Sequence, residues 1–258
     1  MRLTLLGTGT SFGIPQIGCD CAVCRSPDPR DQRSRSGAVL QSGNATLLID
    51  TPPELRLQLL KARIASIDAV LYTHAHADHI NGIDDLRIFS VARPRPLSCH
   101  GPAEALEQIR AGFGYIFDDV RAFEGTSKPR LELCPLEADV PATVAGVSFR
   151  PLAFQHGYVR VFGYRFGPLA YLTDVKEVPE AARRALAGIR VLVLNALWWR
   201  SHPTHLSISE AIEVAQSIGA EQTWLTHLTH ETGHAELAAR LPPGIAPAYD
   251  GLTIEVNG

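Results

Sequence analysis

The sequence predicts an α/β protein in which helices cover sheets. Three observations predict it. Short apolar runs that read as strands alternate with segments of helical periodicity. Hairpins are added to that alternation. Several apolar runs end in His or Asp, as a site at the rim of a sheet requires, because strands fix geometry while their ends reach solvent.

The elements follow in order. "LTLLGTGTSFG" (3–13) reads as a strand buried on both faces that runs into a Gly-rich turn. Gly7, Gly9 and Gly13 do not fit GxGxxG and no helix pattern follows, so a phosphate-binding loop is a weak reading. "RSPDPRDQRSRS" (25–36) is a polar, Pro-interrupted loop, and "AVLQSGNATLLIDT" (38–51) a hairpin around Ser42-Gly43-Asn44. "PELRLQLLKARI" (53–64) has helical spacing with Leu55, Leu59 and Leu60 near one face, and "AVLYTH" (69–74) is a strand ending at a histidine. "GPAEALEQIRAGFGYIF" (101–117) reads as one helix with Pro102 near its first turn. "VSFRPLAFQHG" (147–157) and "VRVFGYRFGPLAYLTD" (159–174) are strand regions. "PEAARRALAG" (179–188) is a helix closed by Gly188, and "VLVLNAL" (191–197) a buried strand. "LSISEAIEVAQSIGA" (206–220) is a helix with a Ser207–Glu210 capping box and Gly219 at its end. "QTWLTH" (222–227) is a further strand stopping at a histidine.

Length and composition bound the function. The 258 residues carry no evident linker or repeat, so residues 1–258 are expected to form a single domain. Hydrophobic content of 45% and charged content of 20% are ordinary for a globular protein, and no apolar run is long enough to span a membrane. The start of the chain does not read as a signal peptide, so a cytoplasmic protein is expected. A net charge of −3 without a Lys/Arg run argues against nucleic acid as partner. Five cysteines in such a chain favour metal ligation over disulfides.

The most specific segment is "THAHADHING" (73–82), with His74, His76, Asp78 and His79 directly after a strand. Residues i and i+2 of an extended segment point the same way, so His74 and His76 can hold one cation. Asp78 and His79 lie past the turn, placed for a second. Imidazole with carboxylate suits zinc, manganese or iron. Further ligand types stand at strand ends: His156 in "FQHG", Asp174 in "YLTD" and His227 in "WLTH".

The ordered series HxHxDH, His, Asp, His, running from "LLGTG" through "LIDT", "HAHADH" and "YLTD" to "LTH", resembles the metallo-β-lactamase superfamily. The resemblance implies a four-layer αββα sandwich with the site at one edge of two sheets. It implies that His74, His76 and His156 hold one divalent metal, that Asp78, His79 and His227 hold another, and that Asp174 bridges them. Such a pair, zinc or manganese, activates water for hydrolysis. Asp78 is expected to orient that water as well.

"HPTHLS" (202–207) places His202 and His205 just before a helix, whose N-terminus is an anion site. A histidine there can meet a phosphate and protonate a leaving group. The position resembles the histidine motif of tRNase Z-like phosphodiesterases, so His205 is the expected general acid, with His202 an exposed neighbour. "GIPQIGCDCAVC" (13–24) resembles the CxCxxC segment of the PhnP-like branch. That resemblance implies one structural zinc held by Cys19, Cys21, Cys24 and His230, a closed Cys3His site. A redox-labile thiol cluster is the competing account. "DDLR" also resembles that branch, with Asp85 and Arg87 read as a structural pair. Cys99 and Cys134 are expected in the core, His100 and His234 on the surface, and Trp198 and Trp199 in wall packing. The expected activity is phosphodiester hydrolysis of a small, cyclic or linear substrate such as a phosphoribosyl 1,2-cyclic phosphate. A tRNase Z-like endoribonuclease, a PqqB-like biosynthetic protein and a lactonase or thioesterase are the alternatives. Homodimerisation is left open.

Overall fold

Alternation along single strands shows how the layers arise. In the computed structural model, which describes residues 1–118, 120 and 124–256, strand β1 (Arg2–Gly7) sends Leu3 and Leu5 into one apolar cluster and Leu6 into another. The two terminal residues of the expected single domain lie outside the described residues. Strands β2 (Gly37–Ser42), β3 (Ala45–Ile49) and β4 (Ala69–Leu71) repeat the division: Leu40, Leu47, Ile49 and Leu71 go one way, Val39, Leu48 and Val70 the other. Successive side chains take opposite faces. Both faces are covered, so each strand reads as an unbroken apolar run. Burying one leucine is worth about 1.5–3 kcal/mol, and a one-residue slip would exchange the two faces.

The remaining strands are β5 (Leu97–Gly101), β6 (Leu131–Pro135), β7 (Ala142–Val144), β8 (Val147–His156), β9 (Val159–Phe166), β10 (Leu169–Leu172), β11 (Val191–Asn195), β12 (Gln222–Thr226), β13 (Ile245–Pro247) and β14 (Thr253–Glu255). They form two seven-stranded sheets, ordered β14-β1-β2-β3-β4-β5-β6 and β13-β12-β11-β10-β9-β8-β7. Phe149, Tyr164, Phe166, Tyr171 and Val193 of the second sheet share the inner cluster with Leu3, Leu40 and Ile49 of the first.

Helices cover the outer faces. Leu55 and Leu59 of α1 (Leu55–Ala62), Ile80 of α2 (Ala77–Ile80), and, beyond α3 (Arg87–Ser90), Leu106 and Ile109 of α4 (Ala103–Gly112) and Ile116 of α5 (Gly114–Phe117) lie on the first sheet. Ala182 of α6 (Glu180–Ala185), Ile208, Ala211 and Val214 of α7 (Ile208–Ile218) and Leu237 of α8 (His234–Arg240) lie on the second. The result is the four-layer αββα sandwich. Helix α7 has the expected capping box and a left-handed Gly219 at its end. No helix among the described residues is long and apolar enough to cross a membrane.

Several local expectations change. The helix expected over 101–117 is two, broken at Phe113. In α1 it is Gln58, not Leu60, that joins Leu55 and Leu59 in burial, because Gln58 Nε2 donates to Ser34 Oγ and the Arg35 carbonyl while Leu60 faces outward. His234 is buried, its ring edge-on to Tyr249, and His100 is half-buried in β5, so neither is a surface residue. Cys99 is buried as expected, whereas Cys134 on the outermost strand β6 is half-buried.

The sheet topology decides where polar residues gather. Strands β3 and β4 run parallel, as do β10, β11 and β12. Parallel strands deliver their carboxyl ends to one edge, where open α/β sheets place their ligands. Asp50, His74, Asp174 and His227 all stand just past such ends.

Candidate functional site

Three of these residues have an unusual backbone. Asp50, Asp174 and His227 have φ of 61°, 57° and 57°, the left-handed region that costs side-chain-bearing residues about 1 kcal/mol or more. Each turns the chain immediately after a strand or its extension, where the sandwich walls hold it. Strain concentrated at one edge is typical of a site shaped for chemistry.

The expected ligands converge there. His74, His76 and His156 form one group whose donor atoms lie within 4.8 Å of one another and could hold a metal ion. His74, His79 and Asp174 form a second group, and His156, Asp174 and His205 a third. His227 Nε2 lies 3.0 Å from Asp174 Oδ1, and Asp78 Oδ2 lies 3.6 Å from His79 Nε2. Asp78, His79 and His227 therefore meet through Asp174 and through each other in pairs, not as a closed triple. The carboxylate of Asp174 draws the imidazoles toward itself: His79 on Oδ2 at 3.0 Å, His205 and His227 on Oδ1 at 2.9 and 3.0 Å.

Hydrogen bonds from outside assign the tautomers. Thr73 Oγ1 donates to Asp50 Oδ2, so at His74, 3.0 Å away, it accepts from Nδ1–H. Ser36 Oγ donates to the Gly9 carbonyl, so it accepts from His227 Nδ1–H at 3.1 Å. His156 Nδ1 donates to the Thr204 carbonyl at 2.9 Å, and His79 Nδ1 to Asp50 Oδ2 at 2.8 Å. Neutral His74, His156 and His227 are thus left with an unprotonated Nε2. An outer partner on Nδ1 is the usual support of a metal-ligating histidine.

Charge leads to the same place. Burial pushes His74 well below the ordinary histidine value and His227 down to about 4, so both are neutral at pH 7. At His227 an unprotonated Nε2 then faces a carboxylate, an arrangement that a cation between them would stabilise. Burial alone would raise Asp174, yet His227 and His79 beside it hold it well below the carboxylate range. Burial also works against a charged His79, but Asp174 and Asp50 override it and keep that proton on. His79 Nε2 is buried and makes no hydrogen bond of acceptable geometry. A buried pocket with two carboxylates and inward lone pairs fits divalent cations.

His205 differs from the other histidines. Its Nδ1 meets Thr204 Oγ1 at 3.0 Å and His202 Nδ1 at 3.3 Å, and its Nε2 meets Asp174 Oδ1. The Thr204 hydroxyl also meets His202 Nδ1 at 3.2 Å, a nitrogen that accepts the Thr204 N–H, so the hydroxyl does not set the His205 tautomer. The Asp174 carboxylate, which can only accept, places a proton on Nε2. The expected anion site at the start of α7 does not exist in that form. The Ile208 N–H goes to the Trp198 carbonyl, the Glu210 N–H to Ser207 Oγ, and the Glu210 carboxylate closes the cap while pairing with Lys176. His202 is half-buried rather than exposed, its ring between Trp198 and His205 at 5.2 and 5.1 Å. Arg87 pairs with Asp84, not Asp85, and donates to the Ser127 carbonyl, while Asp85 accepts from the Arg56 N–H. Trp198 and Trp199 pack as wall residues under Arg200 and Arg240.

The cysteine stretch is closed by the far end of the chain. His230 Nδ1 lies 3.3, 3.4 and 3.5 Å from the sulfurs of Cys19, Cys21 and Cys24. Near-equal spacing suits a tetrahedral Cys3His zinc site, whose S···N edges are about 3.5 Å for zinc bonds of ~2.3 and ~2.05 Å. The Cys24 N–H donates to Cys21 and pulls its thiol down to about 6, while burial pushes Cys24 up to about 11. A cation is needed to bring all three to thiolate. Cys21→Ser is expected to lower zinc content by about one ion per chain and to lower the thermal midpoint, with the rate at saturating metal largely kept. An unchanged zinc count in elemental analysis would rule out a metal clasp here.

Residues that hold the ligands were not singled out by sequence reasoning. Asp50 had the same signal as Asp174, a carboxylate ending an apolar strand. Ser36, Thr73 and Thr204 had none, since a hydroxyl beside a histidine in sequence says nothing about tautomers.

Comparison with known proteins follows the same lines. Residues 45–228 match the beta-lactamase superfamily domain. A diphosphatase from the PhnP family superposes with a TM-score of 0.91 at 37% identity, covering 99% of this chain and 98% of that one. An octanoyltransferase of Porphyromonas gingivalis is 40% identical over 255 residues, 98% of this chain but 51% of that protein, so the chain spans about half the length of this curated relative. Coenzyme PQQ synthesis protein B of Methylobacterium nodulans is 27% identical over 224 residues, 76% of this chain and 72% of that protein. With a strand-edge cluster of histidines and aspartates, a cysteine clasp and these similarities, the chain belongs to the beta-lactamase superfamily and, within it, to the PhnP family.

Proposed function

We propose that the protein is a metal-dependent phosphoric diester hydrolase acting on a small substrate, such as a phosphoribosyl 1,2-cyclic phosphate. The reading includes two active-site divalent ions, zinc or manganese, and one structural zinc in the cysteine clasp. His74, His76 and His156 hold one active-site ion, Asp78, His79 and His227 the other, and Asp174 both. Bound there, such ions would supply Lewis-acid activation of water and of the ester oxygen. Asp78 orients the attacking water, and Ser36, Thr73 and the Thr204 carbonyl keep the lone pairs of His227, His74 and His156 turned inward. Asp50 holds His79 Nδ1, so that a cation displacing the Nε2 proton would find that nitrogen facing Asp174.

The observation that carries the reading is His205. It is outside the expected ligand set, and its Nε2 donates to the same carboxylate that the ligands share. An alkoxide leaves a phosphodiester readily only when it is protonated, and a proton on Nε2 at the edge of the site meets that need. The PhnP-family neighbour is a diphosphatase, which favours a second reading with the same residues: a small diphosphate in place of a diester. The octanoyltransferase is about twice as long as the stretch this chain matches, so its activity does not carry over to this chain.

A panel tests this: a generic phosphodiester, a ribose 1,2-cyclic phosphate, a nucleoside diphosphate, a lactone and a precursor tRNA, with metal-analysed protein. Turnover of the cyclic phosphate or the diphosphate, and not of the tRNA, is the expected result. Turnover of the lactone alone would overturn the assignment.

A further inference from the structure

One turn, residues 227–232, serves both candidate centres. It sends His227 to Asp174 and His230 to the cysteines. His227 at its head has φ 57°, a conformation that persists only where neighbours over-determine it. The neighbours come largely from residues 31–36. Ser36 Oγ meets His227 Nδ1. Arg33 is completely buried, and its guanidinium spans the turn: Nη1 donates to the Thr229 carbonyl at 2.8 Å, and Nη2 reaches the Thr232 carbonyl at 3.5 Å and Asp31 Oδ1 at 3.4 Å. Those two carbonyls bracket His230. Asp31 Oδ1 in turn accepts from the His234 N–H at 2.6 Å.

The main chain of Arg33 holds the other half of the clasp. Its N–H and carbonyl pair with the carbonyl and N–H of Ile14, both at 2.8 Å, at the entry to the cysteine stretch. Gln16 N–H then donates to Cys24 Sγ, and Cys19 N–H to the Gln16 carbonyl. A buried guanidinium is costly unless it is bonded, and a planar fork can reach two carbonyls and a carboxylate where an ammonium cannot.

We propose that Arg33 is a positioning residue that couples the clasp to the active site: by bracing the 227–232 turn it makes metal affinity at His227 depend on zinc at Cys19, Cys21, Cys24 and His230. The proposal rests on the metal reading above and adds an interaction between its parts. Coupling of this kind is reciprocal, so filling either centre tightens the other. The ion on His74, His76 and His156 lies outside the turn and is insensitive to it.

The test uses the full chain, with metal content by elemental analysis and zinc binding by titration calorimetry. Arg33→Lys is expected to lose the clasp zinc and to weaken one active-site binding step by about 10–100-fold, as loss of an outer partner does, leaving the other step unchanged. In Arg33→Lys, adding Cys21→Ser should have no further effect on the active-site steps. Wild-type affinity at every step in Arg33→Lys would overturn the coupling, and so would equal weakening of both active-site steps, which marks general loosening. If Arg33→Lys does not fold, Cys21→Ser alone decides: one weakened active-site step supports the coupling, and two unchanged steps overturn it. A wild-type chain that binds no clasp zinc overturns the metal reading and the coupling with it.

Discussion

Asp174→Asn is expected to lose one active-site ion at metal concentrations that fill the wild type, and to lose more than about 100-fold in rate. The carboxylate is 2% exposed and meets three histidines, with His205 and His227 on Oδ1 and His79 on Oδ2. An amide keeps the shape, removes the charge and leaves a single acceptor. His227 is neutral at pH 7, and its Nε2 faces Asp174. Without the negative charge, the electrostatic demand for a cation between them falls. Removing even an outer partner of a ligand costs about 10–100-fold in affinity or activity, and a group proposed to be shared by both ions should exceed that. Elemental analysis and the steady-state rate are the measurements, with circular dichroism to show that the variant is folded. A variant with its full metal content and a rate within about tenfold of wild type would remove Asp174 from the bridging position.

His205→Ala is expected to slow diester hydrolysis by about 10²–10⁴-fold while metal content stays the same, the range for loss of a general acid. The dependence on leaving group separates this role from a looser structural one. A nitrophenolate leaves without a proton, so its diester should lose far less rate than an alkyl or sugar diester. An equal loss on both would mean that His205 shapes the site without donating. Loss of an ion would mean that it is a ligand, as its place beside His156 and Asp174 allows.

How much of this was legible depended on whether the information was local. The capping box of Ser207 and Glu210 and the hairpin at Gly43 lie within a few residues of sequence, and both formed as read. Unbroken apolar runs announced strands buried on both faces. Strand β5 and the edge strands β6, β7, β13 and β14 were not read. They are short or carry polar residues, and pairing with a neighbour, not their own pattern, makes them strands. The helix expected through Gly112 and Gly114 broke at Phe113, where local propensity was weakest.

The residue types of the site and their order along the chain are legible before any folding. Histidine and aspartate at the ends of apolar strands, and three cysteines within six positions, are chemical facts that no fold can alter. Which of them meet, and which protons they carry, depends on how the sheets pack. Parallel pairing brought Asp50, His74, Asp174 and His227 to one edge, and contacts across the chain, such as Ser36 with His227 and Arg33 with Thr229, set lone pairs and turn geometry. Those contacts join residues 191 and 196 positions apart. A hydroxyl or guanidinium in a polar loop looks solvated until the sandwich closes over it, because burial is a property of the packed layers and not of the segment.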